Sequence, residues 1–109
     1  MPISPNLVVL CNVPDAGCAT QIAEKLVERQ LAACVNILAP CQSVYRWQGK
    51  VECAQEVPLL IKTTRERYPA LEAAILAIHP YEVPEIIALP IETGLPAYLA
   101  WLSAETGTP

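Results

Sequence analysis

Hydrophobic and polar positions divide the chain into strand-like and helix-like segments. Residues 6–13 are apolar along most of their length, which is typical of a strand covered on both faces. Residues 17–30 instead carry apolar side chains at three- and four-residue steps, so they predict an amphipathic helix capped by Asp15. The same spacing predicts a second helix over 66–78, in which Pro69 is acceptable only near the first turn. The chain therefore begins with a strand and a helix, and a second helix follows later.

Two long strand-like segments lie between the predicted helices. Residues 35–47 and 51–64 are joined by WQGK, in which Gly49 supplies the turn, so they predict a long hairpin. Pro40 and Pro58 fall inside the arms, where a central ladder does not tolerate a missing N–H group. We therefore expect the arms to bend or bulge at these two prolines.

The remaining segments complete a ferredoxin-like order. Residues 85–92 predict a last strand, and Gly94 with Pro96 opens a short terminal helix. The resulting order, βαββαβ plus a C-terminal helix, is that of an α+β ferredoxin-like split βαβ sandwich with both main helices on one face of an antiparallel sheet. No linker or repeat divides the sequence, so we expect a single domain over residues 1–109.

The second face of this predicted sheet has no helix to cover it. With 53% apolar residues, the chain has too few polar side chains to expose that face comfortably to water. Long hairpin arms also present unpaired edges, which pair with other strands unless they are blocked. We therefore expect identical copies to cover the face and the edges in a closed homo-oligomer.

Charge and cysteine content exclude several classes of partner. There are 7 Lys and Arg against 11 Asp and Glu, so a net charge of −4 leaves no basic stripe for a nucleic acid. No stretch approaches the roughly 18 apolar residues that a membrane span requires. The five cysteines show neither a CxxC pair nor metal-finger spacing, which favours reduced thiols. We expect a cytoplasmic protein that binds neither nucleic acid nor membrane.

Candidate chemistry concentrates in HPYEVPEI, residues 79–86. His79 is the only histidine, and it ends the second predicted helix, where a capping role is the plainer alternative. Tyr81, Glu82 and Glu85 follow it and form with it a polar cluster that favours a binding site. We therefore take this segment as the centre of the candidate site.

Further candidates lie on the predicted strands. Lys62 ends an apolar strand, where its ammonium group could pair with Glu85 or Glu56 or receive an anionic ligand. Trp47 is a candidate ligand contact. It shares a strand face with Tyr45, however, and two aromatic side chains on one strand face more often indicate interface packing. Cys11 ends the first strand, and it is either a thiolate near the helix start or a small buried side chain.

Several motifs, in their order and spacing, resemble one known family. LVVLCNVPD, SVYRWQGKVECAQEVPLLIKTT, IHPYEVPEIIALPIETG and YLAWL are similar to segments of the CutA divalent-cation-tolerance proteins, over about residues 6–104. The resemblance implies a ferredoxin-like subunit that forms a tight homotrimer, with the long hairpin strands building sheets between subunits. It also implies a cytosolic protein linked to tolerance of copper and other divalent cations, with a cleft between subunits.

The resemblance also suggests metal ligands. Some family members carry two adjacent histidines before PY, and these are proposed to bind copper with the cysteine of the first strand. Here Ile78 occupies the first of the two positions, so Cys11 and His79 are the remaining candidates for Cu²⁺ or another divalent cation. Two ligands make a weak site unless another group completes the shell, and no cofactor is expected to be obligatory.

Different classes of function stay open at this point. The leading hypothesis is a non-catalytic trimer that binds a cation or small ligand between subunits. The sequence contains no phosphate-binding glycine loop, H-E-x-x-H motif or nucleophile with a base, so we expect no enzyme activity. The alternatives are ligand sensing or an assembly scaffold without metal binding, and a small ferredoxin-like hydrolase that uses Asn12.

Overall fold

A computed structural model describes residues 4–107, which form one mixed sheet-and-helix fold. In chain order the described elements are β1 (Asn6–Val13), α1 (Ala16–Glu28), β2 (Cys34–Ile37), β3 (Cys41–Trp47), β4 (Lys50–Thr64), α2 (Tyr68–Ile78), β5 (Ile86–Pro90) and α3 (Pro96–Glu105). This order confirms the predicted ferredoxin-like arrangement with its terminal helix. It differs in one respect, because the first arm of the hairpin is divided into β2 and β3.

The long strand β4 organises the sheet. The strands lie in the order β2, β4, β1, β5, and every neighbouring pair is antiparallel. Only residues 57–64 of β4 pair with β1, whereas residues 50–56 pair with β3. The ribbon that consists of β3 and the first half of β4 therefore extends past the end of β1, and the molecule is 43 Å long in its largest dimension.

The two hairpin prolines have different consequences. Pro40 lies in the interruption between β2 and β3, whereas β4 continues as a strand through Pro58. The Pro58 carbonyl accepts a hydrogen bond from the Leu38 N–H at 3.0 Å, so this side of β4 faces the interruption. The N–H that proline lacks would point to the same side, where the partner strand is broken. The sheet therefore tolerates Pro58 without a break in β4.

A tight turn sets the register of the ribbon. Gln48 and Gly49 both have a positive φ, of 51° and 80°, as the central positions of a type I′ hairpin turn require. Gly49 thus supplies the turn, as the sequence predicts. In the resulting register Tyr45 lies opposite Glu52 and Trp47 opposite Lys50. Because side chains alternate along a strand, the two aromatic rings project from the same face of β3.

The core lies between one face of the sheet and the helices α1 and α2. Alternate residues of β1 and β4, among them Val9, Cys11, Leu59 and Ile61, are buried against Ile22 of α1 and Ile75 of α2. The second face is covered only in part: α3 contacts it near the start of β1, where the Ser103 hydroxyl donates to Asn6 Oδ1 at 3.3 Å. Ile87 and Leu89 of β5 stay about half exposed on that face.

The ends of the helices position the neighbouring loops. The Asp15 carboxylate accepts a hydrogen bond from the Cys18 N–H at 2.8 Å, which confirms the predicted cap of α1. The His79 N–H donates to the Ile75 carbonyl at 2.8 Å and closes the last turn of α2. Across residues 4–107, no helix combines the length and apolar character needed to cross a membrane.

Candidate functional site

A groove of about 690 Å³ opens where β1 ends and the β3–β4 ribbon begins. Asn12 contributes from the end of β1, Tyr45 and Trp47 contribute from β3, and Tyr81 and Glu85 contribute from the loop between α2 and β5. The walls therefore come from three parts of the sequence that the antiparallel pairing brings to one end of the sheet. The groove thus brings together Trp47, Tyr81 and Glu85, three of the residues that the sequence analysis named as candidate ligand contacts.

His79 anchors the loop that forms one wall of the groove. Its Nε2 atom lies 2.8 Å from the Asn12 carbonyl oxygen, and its Nδ1 atom accepts the Tyr81 N–H at 3.1 Å. Since Nδ1 accepts, the ring proton is on Nε2 and is donated to Asn12. The ring is 9% exposed and its centroid lies 4.7 Å from that of Tyr81. Both ring nitrogens are therefore engaged within the chain.

A buried carboxylate lies beside the Tyr81 phenol. Glu56 is only 8% exposed, although it lines the groove. Burial and then a hydrogen bond to Glu56 raise the pKa of the Tyr81 phenol well above its ordinary value, so the ring stays protonated. A protonated phenol is a donor for this carboxylate. Glu56 therefore lies beside Tyr81 as an acceptor on the groove wall.

A second polar contact links β1 to the segment before β5. The Asn12 Nδ2 amide donates to Glu85 Oε1 at 3.3 Å, across 73 positions of sequence. Glu85 is otherwise exposed, so one of its oxygens stays available to a ligand. Together with Glu56 and Glu82, it makes three carboxylates on the groove wall. None of the described residues that line the groove is Lys, Arg or His, so its electrostatic potential favours cations.

Cys11 lies beneath the groove and points into the core. Its side chain is fully buried, and it packs with the helices. Burial, assisted by the nearby carboxylates of Glu85 and Glu56, raises the pKa of this thiol from 9.0 to about 12. The alternative of a buried packing residue is therefore the one that the structure supports, because a thiolate is disfavoured there.

We expect Cys11 to resist alkylation in the folded protein, while Cys41 and Cys53, which are exposed, react with iodoacetamide at about pH 8. Because folding raises the pKa of Cys11 from 9.0 to about 12, its contribution to stability is fully present below pH 9 and is lost as the pH rises towards 12. Peptide mass spectrometry after alkylation measures the reactivities. Modification of Cys11 at the rate of Cys53 would contradict the burial argument.

The structure places Lys62 away from the groove of its own chain. Its Nζ atom donates to Asn36 Oδ1 on the neighbouring strand β2, rather than to Glu85 or Glu56. Lys62 lies six positions further along β4 than Glu56, or about 20 Å in an extended strand. The chain therefore brings Trp47, Tyr81 and Glu85 together over His79 and Cys11, and leaves Lys62 apart.

In the sequence analysis Glu56 was named only as an ion-pair partner of Lys62 and Asn12 only for a hydrolase, yet both line the groove. Glu56 had a usable signal, since it is a charged residue directly before the apolar run VPLLI of a buried strand. Asn12 interrupts the apolar first strand in the same way. Polar residues that break an otherwise buried strand pattern require partners, and such partners often mark a site.

No cluster of three or more His, Cys, Asp or Glu side chains positioned to hold a metal ion occurs within residues 4–107. Cys11 and His79 are close in the fold, but the thiol is buried and protonated and the ring nitrogens are both hydrogen-bonded. A metal bound by these two residues would have to displace the Asn12 carbonyl or the Tyr81 N–H. The positions of Cys11 and His79 therefore suit hydrogen bonding and packing better than metal ligation.

Comparison with known proteins gives similarities along nearly the whole chain. A family model described as CutA1 divalent ion tolerance protein matches residues 7–105. The divalent-cation tolerance protein CutA of Thermus thermophilus is 53% identical over 100 residues, which cover 92% of this chain and 97% of that protein.

Solved structures agree with the sequence similarity. The stable protein CutA1 of the psychrotrophic bacterium Shewanella sp. SIB1 superposes with a TM-score of 0.94 at 40% identity, covering 98% of this chain and 100% of that one. The periplasmic divalent cation tolerance protein CutA of Archaeoglobus fulgidus gives a TM-score of 0.91 at 36% identity, covering 94% and 99%.

Proposed function

Because the chain belongs to the CutA1 divalent ion tolerance family, we propose that it acts in tolerance of divalent cations by binding a cationic ligand in the groove. The observation that carries this proposal is the set of three carboxylates, Glu56, Glu82 and Glu85, on a wall without a basic residue among the described lining side chains. A buried carboxylate such as Glu56 is costly unless charge or hydrogen bonds compensate it. A bound cation would supply that compensation.

A closed trimer would complete the groove. Val44 and Val51 on the projecting ribbon are 68% and 71% exposed, and Ile87 and Leu89 are each 49% exposed on the second face of the sheet. Apolar exposure of this extent on a ribbon and a sheet face supports contact with further copies. Analytical ultracentrifugation at micromolar concentration measures the assembly state. A compact monomer would contradict the proposed trimer.

We place this function in the cytoplasm. All five cysteines are free in the described part of the chain, which supports a reducing compartment. Fractionation of the native host, followed by immunoblotting, measures the location. Recovery of the protein in a periplasmic or organellar fraction would contradict the proposal.

Isothermal titration with Cu²⁺, Zn²⁺ and Mn²⁺ tests cation binding in the groove. We expect binding by the native chain and a loss of about tenfold or more in affinity for Glu85→Gln, because a ligand carboxylate contributes a charge-assisted contact. Glu24→Gln is the matched control, since it removes the same charge from the exposed face of α1. Equal affinities for the two variants, or no binding of any cation by the native chain, would overturn the metal form of the proposal.

Binding of Cu²⁺ by Cys11 and His79 is a second proposal, and the same titration separates it from the first. If these two residues hold copper, His79→Ala abolishes Cu²⁺ binding whereas Glu85→Gln leaves it unchanged. Soft ligands of this kind favour Cu²⁺ and Zn²⁺ over Mn²⁺, whereas carboxylates alone also accept Mn²⁺. The pattern across three metals and two variants therefore identifies the ligands.

A further inference from the structure

The carboxylates of the groove are spread along its wall and do not converge on one point. A small divalent ion requires about six oxygen ligands within 2.0–2.6 Å. Within the described residues no three acidic or metal-ligating side chains are close enough to hold such an ion, although three carboxylates line the groove. The groove volume of about 690 Å³ is typical of a site for an organic molecule. Size and charge placement therefore both favour a cation longer than a single ion.

The groove also offers aromatic surface beside these charges. Tyr45 and Trp47 project from one face of β3 and are 44% and 39% exposed, and Tyr81 of the loop after α2 also lines the groove. Aromatic faces attract ammonium groups and pack against methylene chains. Val83 adds apolar lining. The surface thus combines separated negative charges with apolar and aromatic stretches.

Glu56 distinguishes this arrangement from an ordinary acidic surface. Glu56 as a whole residue is 8% exposed, and the lining residues of the groove include no basic side chain to balance its carboxylate. Tyr81 supplies one donor, whereas a carboxylate accepts up to about four hydrogen bonds. An ammonium group in the groove would supply further donors to this carboxylate.

We infer that the groove binds a linear aliphatic polyamine, whose ammonium groups pair with Glu56, Glu82 and Glu85 and whose methylene segments pack on Tyr45, Trp47 and Tyr81. This inference rests on the proposed function to the extent that both place a cation in the groove. It differs in the class of ligand, because several ammonium groups joined by methylene segments match separated carboxylates better than one small ion does. A quaternary ammonium ligand carries a single charge and would leave two of the carboxylates unpaired.

Titration with spermidine tests the inference on the full chain. We expect saturable binding that is weakened about tenfold or more in Glu56→Gln and in Glu85→Gln, because each loses a charge-assisted contact. Glu85 is exposed, so its substitution tests the site even if the Glu56 variant is unstable. Glu24→Gln is again the matched control and should bind as the native chain does. Equal loss in all three variants would show general attraction to an acidic protein and would overturn the inference.

Tryptophan fluorescence locates the bound ligand. Trp101→Phe removes the tryptophan of α3 and leaves Trp47 as the only one, since the chain contains two. We expect spermidine to change the emission of this variant with the same midpoint as the calorimetric titration. A calorimetric signal with constant Trp47 emission would place the ligand elsewhere and would contradict the inference.

Two further probes separate this inference from the proposed function. Tetramethylammonium should bind at least about tenfold more weakly than spermidine, because it forms one ion pair and donates no hydrogen bond. Equal binding of the two would overturn the polyamine assignment. Binding of Cu²⁺, Zn²⁺ or Mn²⁺ without spermidine binding would overturn this inference alone, whereas failure of all cations would overturn both.

Discussion

Replacing Leu59 by alanine is expected to lower the free energy of unfolding by about 3 to 4 kcal/mol. Leu59 is fully buried in the middle of β4, where it pairs with Cys11 of β1 on one side and Ile37 of β2 on the other. Backbone hydrogen bonds hold the strand on both sides, so the cavity left by the side chain cannot close easily. Urea denaturation at a fixed protein concentration measures the change.

Leu76→Ala is the matched control for this core substitution. It makes the same chemical change on α2, where Leu76 is 53% exposed. Since alanine favours a helix and little apolar surface is lost, we expect a change within about 0.5 kcal/mol. Similar losses for both variants would mean that Leu76 is buried in the assembly or that β4 does not form the centre of the core.

Replacing His79 by alanine is expected to cost about 2 to 3 kcal/mol of stability and to loosen one wall of the groove. The substitution leaves the Asn12 carbonyl and the Tyr81 N–H without their ring partners, in a position where the imidazole is only 9% exposed. Urea denaturation measures the change in stability. The affinity for a cation bound by Glu85 measures whether the groove wall has been loosened.

Two amide variants divide the His79 interaction into its parts. Gln places an amide donor near the position of Nε2, and Asn places an acceptor near the position of Nδ1. We therefore expect His79→Gln to recover the contact with the Asn12 carbonyl and His79→Asn to recover the contact with the Tyr81 N–H. If both amide variants are as unstable as the alanine variant, the hydrogen bonds are not the source of the effect.

The position of His79 bears on every account of metal binding by this chain. The ring connects the end of β1 to the loop before β5, and this connection brings Asn12 within reach of Glu85. A ligand that recruits an imidazole nitrogen must break one of these bonds. A ligand that uses only carboxylates and aromatic rings leaves the connection intact, which is why we assign the groove to cations held by Glu56, Glu82 and Glu85.

The candidate site was predicted only in part. The sequence placed the centre of the candidate site in the segment after α2, because the only histidine, a tyrosine and two carboxylates occur there within eight positions, and this segment lines the groove. Trp47 was also placed on the correct strand face, since alternation determines which side chains share a face. Asn12 and Glu56 were not assigned to ligand binding, because nothing local shows that the end of β1 and the middle of β4 lie beside this loop.

The sequence by itself determined the order of strands and helices and the buried stripes of α1 and α2, because these depend on spacing between near neighbours along the chain. It also placed the turn at Gly49 and the helix ends at Asp15 and His79. Only the tertiary structure decided that β4 continues through Pro58 while its partner breaks at Pro40, and that both nitrogens of His79 are occupied. These features depend on the register between strands distant in sequence and on the orientation of a single ring. Such long-range geometry is set by packing of the whole molecule.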